Sequence, residues 1–104
     1  MAEARSQIRR YTPDEARADP DLLLVDTRSA EEREQSGVIP GAKAIPYSVL
    51  PWRADQTSEW RDEELAGRRL CLVCAHGESS SLAAAQLVDL GVDAGDLIGG
   101  YAAW

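Results

Sequence analysis

The chain has 104 residues, two cysteines, one histidine and a formal net charge of −7. That length holds one domain with a real core, so a single domain is expected over residues 1–104. The acidic balance argues against nucleic acid and membranes as partners. No apolar run has the length of a membrane span, and Met1–Arg10 lacks the apolar stretch of a secretory signal.

Arg9–Tyr11 reads as a short edge strand. Thr12-Pro13-Asp14-Glu15 has the spacing of a capping box with proline at the first helical position, which predicts a helix to about Ala18. Asp19-Pro20-Asp21 is a turn, and the apolar run Leu22–Val25 predicts a strand buried on both faces. Asp26 and Arg28 follow at its carboxyl end, where a salt bridge between them would pin the loop. Ser29-Ala30-Glu31-Glu32 is a second capping box, opening a polar helix to about Gln35 that Gly37 ends.

Ile39-Pro40-Gly41 predicts a turn and Ala42–Ile45 a short strand. An irregular crossing follows, in which Trp52 reads as core or lid. A helix capped by Thr57 or Ser58 is expected from about Glu59 to Ala66, stopped by Gly67. Arg69–Val73 is the second apolar strand, and Ser80–Leu90 a helix with Ala83, Leu87 and Leu90 on one face. Val92 and Leu97-Ile98 predict a last strand, and Tyr101–Trp104 the start of a helix. Strands alternating with helices at this spacing make an α/β fold: a small, open, mostly parallel sheet with helices on both faces.

Cys74 stands directly after a buried strand and before the short loop Ala75-His76-Gly77-Glu78-Ser79, which runs into a helix at Ser80. Strand, tight loop and helix N-terminus aim backbone N–H groups and a positive dipole end at the loop's centre. A thiol held there ionises more easily, which identifies Cys74 as a nucleophile. Cys71, three residues earlier, should face the other side of the sheet, and a Cys71–Cys74 disulfide is not expected. Two cysteines and one histidine make no structural zinc site, so neither metal nor cofactor is expected. His76 is near enough in sequence to pair with Cys74 as a base, but a loop turned with its N–H groups inward points its side chains outward.

The loop resembles the active-site loop of the rhodanese family, which runs from cysteine through four variable residues to a common Arg-Ser pair. Cys74, Gly77 and Ser80 match it, and Ser79 stands where arginine is common. Leu22-Leu23-Leu24-Val25-Asp26-Thr27-Arg28 is similar to the family's strand ending in Asp-Val-Arg. Gly37-Val38-Ile39-Pro40-Gly41-Ala42 is similar to its Gly-His-Ile-Pro-Gly-Ala turn, and Gly99-Gly100-Tyr101-Ala102-Ala103-Trp104 to its terminal Gly-Gly-x-x-x-Trp.

The resemblance implies a sulfurtransferase that moves a sulfane sulfur from a donor to a thiol or cyanide through a persulfide on Cys74. Residues Ala75 to Ser80 would cradle the persulfide, with Asp26, Arg28 and Arg53 in support. Small-molecule donors and acceptors, or an acceptor protein, are the implied partners. The free thiol suits a reducing cytoplasm, and the abundance of arginine and alanine suggests a bacterial source. No Lys or Arg occurs after Arg69, so the loop itself brings no cation for a transferred oxyanion. That disfavours phosphatase chemistry and also weakens thiosulfate as donor, unless Arg28 or Arg53 reaches in. A less charged persulfide donor is therefore expected. The alternative is a non-catalytic rhodanese-like module that carries sulfur or binds a partner.

Overall fold

The computed structural model describes residues 2–104. Five parallel strands form one sheet: β1 (Arg9–Tyr11), β2 (Leu22–Asp26), β3 (Lys43–Ala44), β4 (Arg69–Val73) and β5 (Ala94–Leu97), in the order β1-β5-β4-β2-β3. The helices are α1 (Ala2–Ser6), α2 (Pro13–Ala18), α3 (Ala30–Ser36), α4 (Leu50–Ala54) and α5 (Ser79–Asp89). Parallel strands need crossovers, and those crossovers cover both faces of the sheet.

Side-chain alternation sorts the core into two layers. Leu70 and Leu72 of β4 join Val25 and Ala94 beneath Ala83, Ala84 and Leu87 of α5 and Leu50 of α4. Cys71 and Val73 point the other way, into a cluster with Tyr11, Leu97 and Ala16 of α2. The two apolar strands are thus buried on both faces, as their continuous hydrophobicity requires.

Both capping boxes form. Thr12 Oγ1 accepts from the Glu15 N–H and the Glu15 carboxylate accepts from the Thr12 N–H; Ser29 and Glu32 do the same for α3. Residues 59–66 do not form the expected helix. Asp62 there is buried, bonds Lys43 at 2.8 Å and caps a single 3-10 turn, Glu63–Leu65. With Leu65 the one buried apolar side chain in the segment, no apolar stripe exists to hold a longer helix. Two smaller corrections follow from exposure. Leu90 is exposed because it lies past the last turn of α5, and Trp52 is exposed rather than core. The terminal residues form a 3-10 turn, Gly100–Ala103. No helix among the described residues is long and apolar enough to cross a membrane.

Candidate active site

Cys74 is the first residue beyond β4, at the carboxyl edge of the sheet, where open α/β sheets place their ligands. The following loop is shaped from below by the chain terminus. The Tyr101 N–H donates to the Cys74 carbonyl at 2.8 Å and the Ala102 N–H to the Ala75 carbonyl at 3.0 Å. These carbonyls are held on the far side of the loop, and the Gly77 N–H turns inward to the Cys74 sulfur at 3.0 Å. The fit demands glycine at both contacting points. A Cβ on Gly100 would lie 2.4 Å from the Cys74 carbonyl oxygen, and one on Gly77 2.8 Å from the Gly99 nitrogen. Both residues also have positive φ, +65° and +87°, which L side chains rarely adopt.

Ser80, in the first turn of α5, sets its hydroxyl 3.3 Å from the sulfur. Cys74 is 6% exposed, and that burial pushes its thiol up. The hydroxyls of Ser80 and Ser79 and the N–H groups of Ser80 and Gly77 outweigh it, leaving the thiol below its ordinary value. Cys71 shows the opposite balance. Sealed in the sheet and near the Asp96 charge, its thiol is pushed up to about 12. Both cysteines are free. The two thiols thus sit in opposite environments, Cys74 among hydrogen-bond donors and Cys71 sealed within the sheet.

A cleft of about 370 Å³ opens over Cys74. Ala75, His76, Glu78 and Ser79 form one wall, and Thr27, Arg28, Glu32 and Tyr47 the other. Thr27 ties the walls together, its N–H and hydroxyl both donating to the Val73 carbonyl, at 2.8 and 2.9 Å. His76 and Glu78 are exposed, as expected of side chains on a loop with inward N–H groups.

Arg28 lies in this wall with its charge paired to Asp26. Its guanidinium grips Asp26 through two bonds of 3.0 and 2.8 Å, donates to the Gly37 carbonyl at 2.8 Å, and stacks 3.9 Å from the Tyr101 ring. Both partners of the salt bridge are buried. The expected pin between Asp26 and Arg28 is present. Arg53 is not brought to Cys74. It bonds the Trp60 carbonyl and Asp62, and lines a separate apolar hollow with Val49, Trp52 and Trp60.

Sequence reasoning missed Glu32 and Tyr47 in the cleft wall, and a polar cluster under the loop formed by Arg5, Arg10, Ser81 and Asp96. One signal for the cluster was readable: an aspartate inside the last, otherwise apolar, strand, since buried carboxylates are rare without partners.

The rhodanese-like domain family model matches residues 12–104. The chain belongs to that family. Among solved structures, a Thermus thermophilus rhodanese homologue is 31% identical, with 92% of this chain and 100% of that one covered and a TM-score of 0.69. A human single-domain sulfurtransferase is 27% identical, with 90% and 92% covered and a TM-score of 0.67. A Rhodopseudomonas palustris protein of unknown function, a possible tyrosine phosphatase, is 29% identical over 99% of this chain and 83% of that one, with a TM-score of 0.91. A comparison with curated proteins gives no match. The Gly99-Gly100 motif of this chain is the support on which the loop after Cys74 is folded.

Proposed function

We propose that this rhodanese-like domain is a sulfurtransferase working through a persulfide on Cys74. The observation that carries the reading is a sulfur, nearly buried at the floor of a cleft, that meets an inward N–H at 3.0 Å and a hydroxyl at 3.3 Å. The Cys74 thiolate attacks the outer sulfur of a donor R–S–S⁻. The S–S bond breaks, RS⁻ leaves with its electron pair, and Cys74 keeps the sulfur as a persulfide. An acceptor thiolate or cyanide then attacks the terminal sulfur and releases the Cys74 thiolate. No net oxidation occurs. The Gly77 N–H is a donor already in place for an anionic sulfur, and the Ser80 hydroxyl lies within reach to turn its proton toward it as charge moves onto the sulfur.

The donor class follows from the cleft's charges. Glu32 and Glu78 face it, and the charge of Arg28 is paired with the buried Asp26 carboxylate. A thiosulfate dianion meets carboxylates without an uncommitted cation, whereas a persulfide on a small thiol or a protein carries less charge. The same balance weighs against phosphoryl transfer, whose oxyanion needs a fixed cation. Arg5 supplies none: it binds the Gly77 carbonyl and is not among the residues lining the cleft.

The test is intact mass after incubation with a persulfide donor. A gain of about 32 Da per sulfur, absent in Cys74→Ser and reversed by an acceptor thiol, is the expected result. A protein that gains no sulfur on Cys74 overturns the proposal. A stable adduct that no acceptor discharges would replace it with a sulfur-carrying module.

A further inference from the structure

Beneath the nucleophile loop, β5 carries Asp96 with its side chain wholly buried. β5 lies between β1 and β4, and the carboxylate draws its donors from β1 and from α5. Arg10 of β1 donates through Nε at 2.9 Å and Nη2 at 3.3 Å. From the first turn of α5, Ser81 donates at 2.7 Å and Ser80 at 3.0 Å. The Ser80 hydroxyl therefore lies between two acceptors, the Asp96 carboxylate and the Cys74 sulfur 3.3 Å away.

A hydroxyl has one proton and lone pairs to spare. With that proton on Asp96, Ser80 presents lone pairs to the sulfur; it then accepts from a thiol and offers nothing to a thiolate. With the proton turned to the sulfur, Ser80 supports a thiolate or a persulfide anion. Asp96 tolerates that turn, because Arg10 and Ser81 still hold it. With the proton on Asp96, Cys74 keeps the Gly77 and Ser80 N–H groups and the Ser79 hydroxyl but loses one of its donors.

We propose that Asp96 is a positioning residue for the nucleophile: it competes with Cys74 for the single Ser80 proton and so sets how readily the sulfur becomes anionic. The device rests on the reading of Cys74 as the reacting thiol. It is anchored by the segment ahead of the family match, which begins at residue 12. Arg10 neutralises Asp96, while Arg5 of α1 donates to Ser81 Oγ at 3.2 Å and to the Gly77 carbonyl at 3.3 Å. With Arg5 donating to its oxygen, Ser81 has its proton for Asp96 at 2.7 Å or the Gly77 carbonyl at 3.2 Å, and the carboxylate is the nearer acceptor. The other groups facing this network are Cys71 of β4, inside the sheet and within reach of the Asp96 charge, and Glu78, Glu32, Arg28, His76 and Tyr47 around the cleft.

The experiment is the pH dependence of Cys74 alkylation by iodoacetamide, with the label located by peptide mass so that Cys71 is counted separately. It needs no sulfur donor, so a failure of sulfur transfer leaves it intact. Asp96→Asn should lower the midpoint by about one pH unit, since the amide donates to Ser80 and frees its proton for sulfur. Ser80→Ala should raise the midpoint by about as much. In the Ser80→Ala background, Asp96→Asn should lose most of its effect. An unchanged or raised midpoint in Asp96→Asn, or an equal shift in both backgrounds, overturns the proposal, because Asp96 would then not act through Ser80. If Asp96→Asn does not fold, Ser81→Ala decides: Asp96 then draws harder on Ser80 and the midpoint should rise by a few tenths of a pH unit. A midpoint that does not rise refutes it.

Discussion

Replacing Ser79 with arginine tests the donor class proposed for the cleft. Ser79 is exposed in the cleft wall, at the first residue of α5, where rhodaneses commonly carry arginine. Its hydroxyl is one neutral donor, and Glu78 beside it repels anions. A guanidinium can pair bidentately with a sulfonate-like group, a charge-assisted contact worth about 1.5–3 kcal/mol. Exposure at the rim cuts this to the lower end, about 1.4 kcal/mol or tenfold in rate. Ser79→Arg should therefore raise thiosulfate kcat/KM about tenfold and change kcat/KM for a singly charged persulfide donor by a clearly smaller factor. The thiosulfate gain should shrink at high salt, because screening acts within about 10 Å at 0.1 M. Steady-state rates with both donors, at low and high salt, make the comparison. Fast thiosulfate turnover in the unmodified protein would refute the reasoning outright, and a gain equal for both donors would mean that the substitution acts on Cys74 rather than on the donor's charge.

Glu78→Gln should lower the alkylation midpoint of Cys74 by a few tenths of a pH unit, since it removes a carboxylate from the cleft wall; a rise would contradict the electrostatic account of the loop. Gly100→Ala should destabilise the protein by at least about 1–2 kcal/mol in urea unfolding and raise the same midpoint, because the added methyl meets the Cys74 carbonyl and pushes the loop off the sulfur. The raised Cys71 thiol makes an alkaline prediction. Its ordinary value of 9.0 applies once the chain unfolds, so its contribution to stability is intact below pH 9. That contribution is lost as pH rises toward about 12, by roughly 1.4 kcal/mol per pH unit. Cys71→Ala should flatten the fall of unfolding free energy above pH 9 relative to the unmodified protein; parallel curves would count against the buried neutral thiol.

The elements that could be read from the sequence are those whose cause is local. Thr12 and Glu15, or Ser29 and Glu32, need only each other to start a helix, and the runs Leu22–Val25 and Leu70–Val73 announce burial on both faces by their own composition. Residues 59–66 failed for the complementary reason. The capping signal at Ser58 is local, but what decides the segment is Asp62 turning inward to Lys43, a partner nineteen residues back. Of the two readings of Trp52, core fails for the same reason: an aromatic in a crossing is buried when something packs on it, and spacing cannot say whether anything does.

The site divides along the same line. Cys74 at a strand end before a glycine loop is a local pattern, and so is the Asp26–Arg28 pin. The absence of cations after Arg69 means that any cation near the loop comes from another segment, and Arg28 and Arg53 are the candidates that the sequence offers. Yet Arg5 and Arg10 arrive from the opposite end of the chain, because β1 pairs with β5 and α1 packs on α5. They come to the carbonyl edge of the loop and to Asp96, not to the cleft over the sulfur. A positive charge beneath the loop stabilises its scaffold, while one in the cleft would bind an anionic donor. This chain places two arginines in the first role and leaves Ser79 in the second, and that distribution, more than the number of arginines, argues for a donor of low charge.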